Sequence, residues 1–338
     1  QLSKTIARCV AGVALAAGLV AAPAADAAPN GNIVTLGDSY TANPDQVRNE
    51  LRNVNWKPIQ DYVNNYPSRN GCLQAPNNWP RRLAAMEGAP LADWSCTAQT
   101  SQTMLHRLDS AIANGDVHRG TRAVIIAVGM NDFGPFGIQQ GFQPWNPDKM
   151  AADLSMNIRI AKDKIRYHAP QAKIILSGMI AVADPAAPNM FCPVNIVPNA
   201  PGGFPLPPLA AVEAANEANQ RAAAAANGIQ FVPMRMETRG NTTCAPDQAR
   251  FVNGGIDTTV PGGVTMSLHP SHAGNEFIAR RLSQFVRGRT PIDEPGESGL
   301  NRVARSAGDG QDQLTKRLAR RKGSAQSLLI GAEPFTAA

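Results

Sequence analysis

Five short apolar runs, each set before or after a helical stretch, constrain this 338-residue chain more than any other feature. They read NIVTLGDS (32–39), PLADWSC (90–96), RAVIIAVGMND (122–132), AKIILSGMIAV (172–182) and GIQFVPM (228–234). Runs apolar at consecutive positions suit strands buried on both faces, the condition of a parallel sheet covered by helices. Helical spacing fills the intervals. NNWPRRLAAMEG ends at Gly88, TSQTMLHRLDSAIANG at Gly115, and NPDKMAADLSMNIRIAKDKIRYHAP stops before Pro170. LAAVEAANEANQRAAAAANG ends at Gly228, and SHAGNEFIARRLSQFVRG is the last helix. Such alternation predicts a doubly wound α/β fold, a three-layer α/β/α sandwich around a central parallel sheet, flavodoxin-like in plan. Two connections are long for such a fold. Residues 42–78 hold Trp56, Tyr62, Tyr66 and Cys72, and residues 183–208 are rich in proline. In the second, Met190, Phe191, Val194, Ile196 and Val197 would suit a wall over an apolar substrate or plain loop packing.

The first 27 residues read differently. Lys4 and Arg8 precede a short apolar, small-residue run that closes on Ala25-Asp26-Ala27. A basic start, an apolar core and an A-x-A ending describe a secretory signal peptide, with cleavage expected after Ala27. The domain is then 28–290. Residues 291–338 form a tail with seven basic and two acidic residues between Arg302 and Lys322. The formal net charge of +6 therefore sits mostly in that tail, and the main domain gives no sign of a nucleic-acid partner. The tail reads as a mobile basic segment, either solvated or in peripheral contact with an anionic envelope surface.

Export sets the reading of the cysteines. Cys72, Cys96, Cys192 and Cys244 remain after cleavage, an even number in an exported chain. Four cysteines allow three pairings; order and spacing favour Cys72–Cys96 and Cys192–Cys244. There is no C-x-x-C pair and the histidines are scattered, so no metal is expected.

Ligands of an open parallel sheet bind beyond the carboxyl ends of its strands. Ser39 stands at one such end, the GMND segment at another, and SLHPSHAGNEF supplies histidines before the last helix. A hydroxyl, an amide and an imidazole are the set that acyl transfer requires. GDSY (37–40), GMND (129–132) and HPSHAGNEF (269–277), in this order and spacing, resemble the SGNH (GDSL) hydrolases, secreted actinobacterial esterases and lipases above all. The likeness spans about residues 30–288. It implies a serine ester hydrolase without cofactor, expected as a monomer, acting on lipid, glycolipid or acylated-glycan esters. An envelope acyltransferase or a non-catalytic binder on the same fold are the alternatives.

The resemblance also implies roles. Ser39 is the nucleophile and a backbone oxyanion donor, Asn131 a side-chain oxyanion donor, and His269 the general base, with His272 as rival. Two positions depart from the family pattern. Ala98, in SCTAQTS, stands where the family has a glycine whose N–H faces the oxyanion, and is the expected third donor. Met266 stands where an aspartate would precede the histidine by three. The expectation is therefore a Ser–His dyad in which the carbonyl of Met266 holds His269, with Asp257 as the other candidate. Asp38 and Asp132 are expected to anchor their loops.

Overall fold

The structure is a computed structural model, and it describes residues 31–288. The segments read as signal peptide (1–27) and basic tail (291–338) lie outside the described residues, as do the first and last few residues of the 28–290 domain.

In chain order the elements are β1 (Ile33–Gly37), α1 (Ser39–Ala42), α2 (Gln46–Leu51), α3 (Lys57–Asn64), β2 (Ser68–Arg69), β3 (Cys72–Leu73), α4 (Trp79–Glu87) and β4 (Leu91–Asp93). Next come α5 (Met104–Ala113), β5 (Ala123–Ala127), a 3-10 turn (Met130–Phe133), α6 (Pro135–Gln139), α7 (Pro147–His168) and β6 (Lys173–Ser177). The chain continues through β7 (Met190–Asn195), β8 (Gly202–Pro205), α8 (Pro207–Asn227), β9 (Gln230–Val232), β10 (Ile256–Asp257) and α9 (His272–Val286). All five runs expected as strands enter one parallel sheet of order β4-β1-β5-β6-β9. The fourth run is shorter as a strand than its apolar length: β6 ends at Ser177, and the Gly178 N–H makes a last bond to the Val232 carbonyl (2.9 Å).

Alternate residues of each strand feed opposite faces. Val34, Leu36, Val124, Ile126, Ile174 and Leu176 pack with α5, α7 and α8. Ile33, Ile125 and Ile175 pack on the other face with Trp79 and Leu83 of α4 and with Ile278 and Leu282 of α9. Each such aliphatic side chain contributes about 1.5–3 kcal/mol by leaving water. Covered on both faces, the sheet is the middle of a three-layer α/β/α sandwich. Gly88 and Gly228 end α4 and α8 with φ of 59° and 61°, left-handed conformations that glycine adopts without strain.

The long connections carry structure of their own. Residues 42–78 form α2, α3 and the β2–β3 pair, and residues 183–208 form the β7–β8 hairpin, to which β10 adds a third strand. Phe191 is core rather than wall: it is buried and meets the Phe204 ring edge-on, while Ile196 and Val197 stand exposed. Cys72 is joined to Cys96 and Cys192 to Cys244, so each long connection is tied to a neighbouring loop. No described helix is long and apolar enough to cross a membrane.

Candidate active site

Strand order fixes where the site lies. From β1 the chain moves out to β4, then returns to β5 on the other side of β1. Connections diverge at the β1/β5 boundary, leaving a crevice at the carboxyl ends of those two strands. β1 delivers Ser39 there and β5 delivers Asn131.

Asp38 caps the four-residue α1 by accepting a hydrogen bond from the Tyr40 N–H (2.9 Å), which turns the chain sharply at Ser39. The Ser39 hydroxyl lies 2.8 Å from Nε2 of His269. Nδ1 of the same ring lies 2.7 Å from the carbonyl oxygen of Ser267. A carbonyl only accepts, so Nδ1 carries the proton and Nε2 presents a lone pair to the serine O–H. The structure thus brings Ser39 and His269 together. His272 instead faces Asn77, 3.2 Å from its Nδ1.

The carbonyl that holds the imidazole belongs to Ser267, not to Met266. Leu268 adopts a left-handed φ of 60°, and this reversal presents the Ser267 oxygen to Nδ1. The Met266 oxygen accepts from the His269 N–H (3.3 Å) and from the Asn253 side chain (3.2 Å). Neighbouring carbonyls are also occupied. Leu268 O accepts from the Tyr40 hydroxyl (2.9 Å), His269 O from the Asn253 N–H (3.0 Å) and Pro270 O from the Asn43 side chain (2.8 Å). Tyr40 and Asn43 therefore bind the serine turn directly to the histidine loop, and the Tyr40 ring sits 4.9 Å from the imidazole. Asp257 has no part in this. Its carboxylate is buried against Arg250 (3.0 and 3.1 Å) and accepts from the N–H groups of Gly254 and Val260.

Asn131 donates one amide hydrogen to the Gln99 carbonyl (2.9 Å), which fixes the side chain and leaves its second hydrogen to point elsewhere. Gln99 follows Ala98, so this bond ties the second and third motif segments together. Among the described residues, the backbone N–H groups of Ser39 and Ala98 have no protein acceptor. Asp132 anchors the same region by accepting from both the N–H and the hydroxyl of Ser101 (2.7 and 2.6 Å).

Ala98 has a φ of 64°. An alanine there carries about 1–2 kcal/mol of strain. Glycine would relieve it, against roughly 0.5–1 kcal/mol of added unfolded-state entropy. Ala98→Gly should therefore raise stability by about 0.5–1 kcal/mol, read as a higher urea midpoint, while the N–H stays in place. A lower midpoint would show that the Ala98 methyl group is a packing element.

Burial shapes the electrostatics. Desolvation lowers the His269 pKa to about 4, with its bond to Ser267 opposing, so the ring is neutral at pH 7. Desolvation raises Asp38 to about 7, with the bond from the Tyr40 N–H opposing and Asp132 adding to the rise. Asp132 itself is raised by burial to about 6. Near pH 7 Asp38 is therefore only partly ionised, while Asp132 remains mostly ionised. Among the described residues no group of three or more His, Cys, Asp or Glu side chains could hold a metal ion.

Sequence reasoning did not find Tyr40, Asn43, Asn253 or the Ser267 carbonyl. Tyr40 and Asn43 follow the serine within four residues, a signal that could have drawn attention to them. A backbone carbonyl leaves no mark in a sequence, because every residue has one and its role depends on local φ and ψ and on which other donors occupy its neighbours.

Comparison with known proteins adds to this geometry. The family described as GDSL-like Lipase/Acylhydrolase matches residues 35–277. Lipase 2 of Streptomyces coelicolor is 26% identical over 287 residues, covering 79% of this chain and 89% of that protein. Among solved structures, phospholipase A1 from Streptomyces albidoflavus NA297 is 15% identical, covers 77% of this chain and all of its own, and superposes with a TM-score of 0.48. An extracellular lipase from Streptomyces rimosus is 18% identical with the same coverage and TM-score. A match that runs from within β1 to within α9, across every motif described above, establishes that this chain belongs to the GDSL-like lipase/acylhydrolase family and is a carboxylic ester hydrolase.

Proposed function

We propose that the protein is a secreted serine esterase that cleaves carboxylic esters of lipids or acylated glycans through an acyl-enzyme on Ser39. The observation that carries this reading is the continuous chain from the Ser39 hydroxyl through the His269 ring to the Ser267 carbonyl. Nε2 takes the serine proton as Oγ attacks the ester carbonyl. The Ser267 oxygen stabilises the imidazolium that forms, in the place a carboxylate would take. The N–H groups of Ser39 and Ala98 and the free hydrogen of the Asn131 amide receive the oxyanion. His269 returns the proton to the leaving alkoxide, then draws one from the water that releases the acid. The basic, apolar, A-x-A sequence of residues 1–27 supports secretion.

The test is hydrolysis of p-nitrophenyl butyrate followed from pH 3 to 9. His269 acts as a base only when neutral, and desolvation holds it neutral down to about pH 4. kcat/KM should fall tenfold per pH unit only below about pH 4, not below the ordinary histidine value near 6.5. Absence of turnover by the folded protein would overturn the esterase reading. An acid limb near 6.5 would overturn the buried, carbonyl-held base.

A further inference from the structure

Sixteen large apolar side chains stand exposed among the described residues, and thirteen of them lie in four segments that join the loops of the site. The first is α2–α3, where Trp56 is 61% exposed beside Val54. The second follows Asn131 and carries Phe136 and Trp145, the latter 71% exposed. The third is the β7–β8 hairpin, with Ile196 and Val197, and the fourth is the 256–264 loop, with Ile256.

Each segment is bonded to a site loop or continuous with one. Gln46 of α2 donates its N–H to Thr265 and accepts from the Ser267 N–H; Asn49 of α2 meets the Thr97 hydroxyl beside Ala98. α6 follows the Asn131 turn at once, with the Gly134 N–H on the Asn131 carbonyl. β10 pairs with β7, and its loop is held to the histidine loop by Ser267 Oγ on Gly255 and by the Leu268 N–H on Gly254.

Three of the four segments are depleted of charge. No charged residue occurs in 133–147, in 185–212 or in 258–268, although charged residues make up 17% of the chain. The α2–α3 segment differs: residues 46–64 carry Arg48, Glu50, Arg52, Lys57 and Asp61, and the two charges at its tip, Arg52 and Lys57, are both basic. An exposed surface without charge costs little to dehydrate, and an exposed tryptophan next to a basic stem, as Trp56 is to Lys57, is a side chain that settles at a lipid headgroup boundary.

We infer that this rim is a docking surface for a lipid–water interface bearing anionic headgroups, which seats the ester-cleaving site on aggregated lipid substrate. The inference rests on the esterase reading for its substrate class alone, and its test separates the two. Sedimentation with phosphatidylcholine vesicles containing a minority of phosphatidylglycerol is measured with Ser39→Ala, which binds without turnover. The same carrier is then compared with and without Val54→Ser, Trp56→Ser and Trp145→Ser. Removing three large apolar side chains should weaken vesicle uptake by about tenfold or more. In the Ser39 protein, the three rim changes should leave p-nitrophenyl butyrate turnover within about twofold while lowering turnover of vesicle-borne ester by a similar tenfold. Because the three positions are exposed, an unchanged circular-dichroism spectrum is expected. Equal vesicle uptake by rim variant and parent overturns the inference. So does concentration-dependent dimerisation without vesicle uptake, which would assign the face to a second copy of the chain.

Discussion

Ser39→Ala should lower kcat on a soluble ester by about 10⁴–10⁶-fold, with the unfolding midpoint nearly unchanged. In the proposed mechanism the hydroxyl is the only group of the dyad that bonds to the acyl carbon. Its loss also leaves His269 no proton to take. His269→Ala should cost a comparable factor, because without Nε2 the serine must ionise unaided. The decisive measurement is the double variant. The base acts only through the nucleophile, so Ser39→Ala/His269→Ala should be no slower than the worse single change. Multiplying losses would mean that the two groups act independently, and the bond between them (2.8 Å) would then not be the catalytic unit. Ser39 is only half-buried and its alanine replacement opens no cavity, so stability separates this effect from unfolding.

Asn131→Ala should lower kcat by about 10²–10³-fold, with a much smaller change in KM. In the proposed mechanism the amide meets charge that develops only after Oγ attacks, so its loss falls on the transition state rather than on the bound ester. One further consequence distinguishes it from Ser39. The Gln99 carbonyl loses its donor, and the unpaired acceptor should cost roughly 1 kcal/mol of stability. Urea unfolding read beside ester kinetics checks both. An equal rise in KM with kcat unchanged would mean that Asn131 binds substrate in its ground state and donates nothing to the oxyanion.

Much of this was legible in the residues. Five apolar runs separated by helical stretches dictate a parallel sheet, because a strand apolar at consecutive positions must be covered on both faces, and Gly88 and Gly228 mark helix ends where only left-handed backbone would serve. The serine, amide and histidine segments follow strands or precede a helix, so their place at one sheet edge follows from the alternation itself. The cysteine pairs followed from order and spacing, and the structure has the same two pairs. In the long connections, by contrast, sequence could not reveal α2, α3 or the β7–β8 hairpin, whose short elements bury too little to impose a period of their own.

The sequence by itself thus determined the layers of the fold, the order of the chemistry-bearing segments and the place of Ser39, the GMND segment and the histidine loop at one sheet edge, since these depend on hydrophobic period and on residue type; the choice of Asn131 and His269 within them came from the resemblance to the SGNH (GDSL) hydrolases. Only the tertiary structure decided which oxygen holds His269. Met266 and Ser267 offer identical carbonyls, and the choice turns on the left-handed φ of Leu268, the Tyr40 hydroxyl on the Leu268 oxygen and the Asn253 amide on the Met266 oxygen. It likewise decided that Asp257 belongs to Arg250, and that segments carrying exposed apolar side chains, some two hundred residues apart, are bonded to the same site loops. Those outcomes rest on contacts between residues far apart in the chain, and the energy of such a contact is written in neither partner alone.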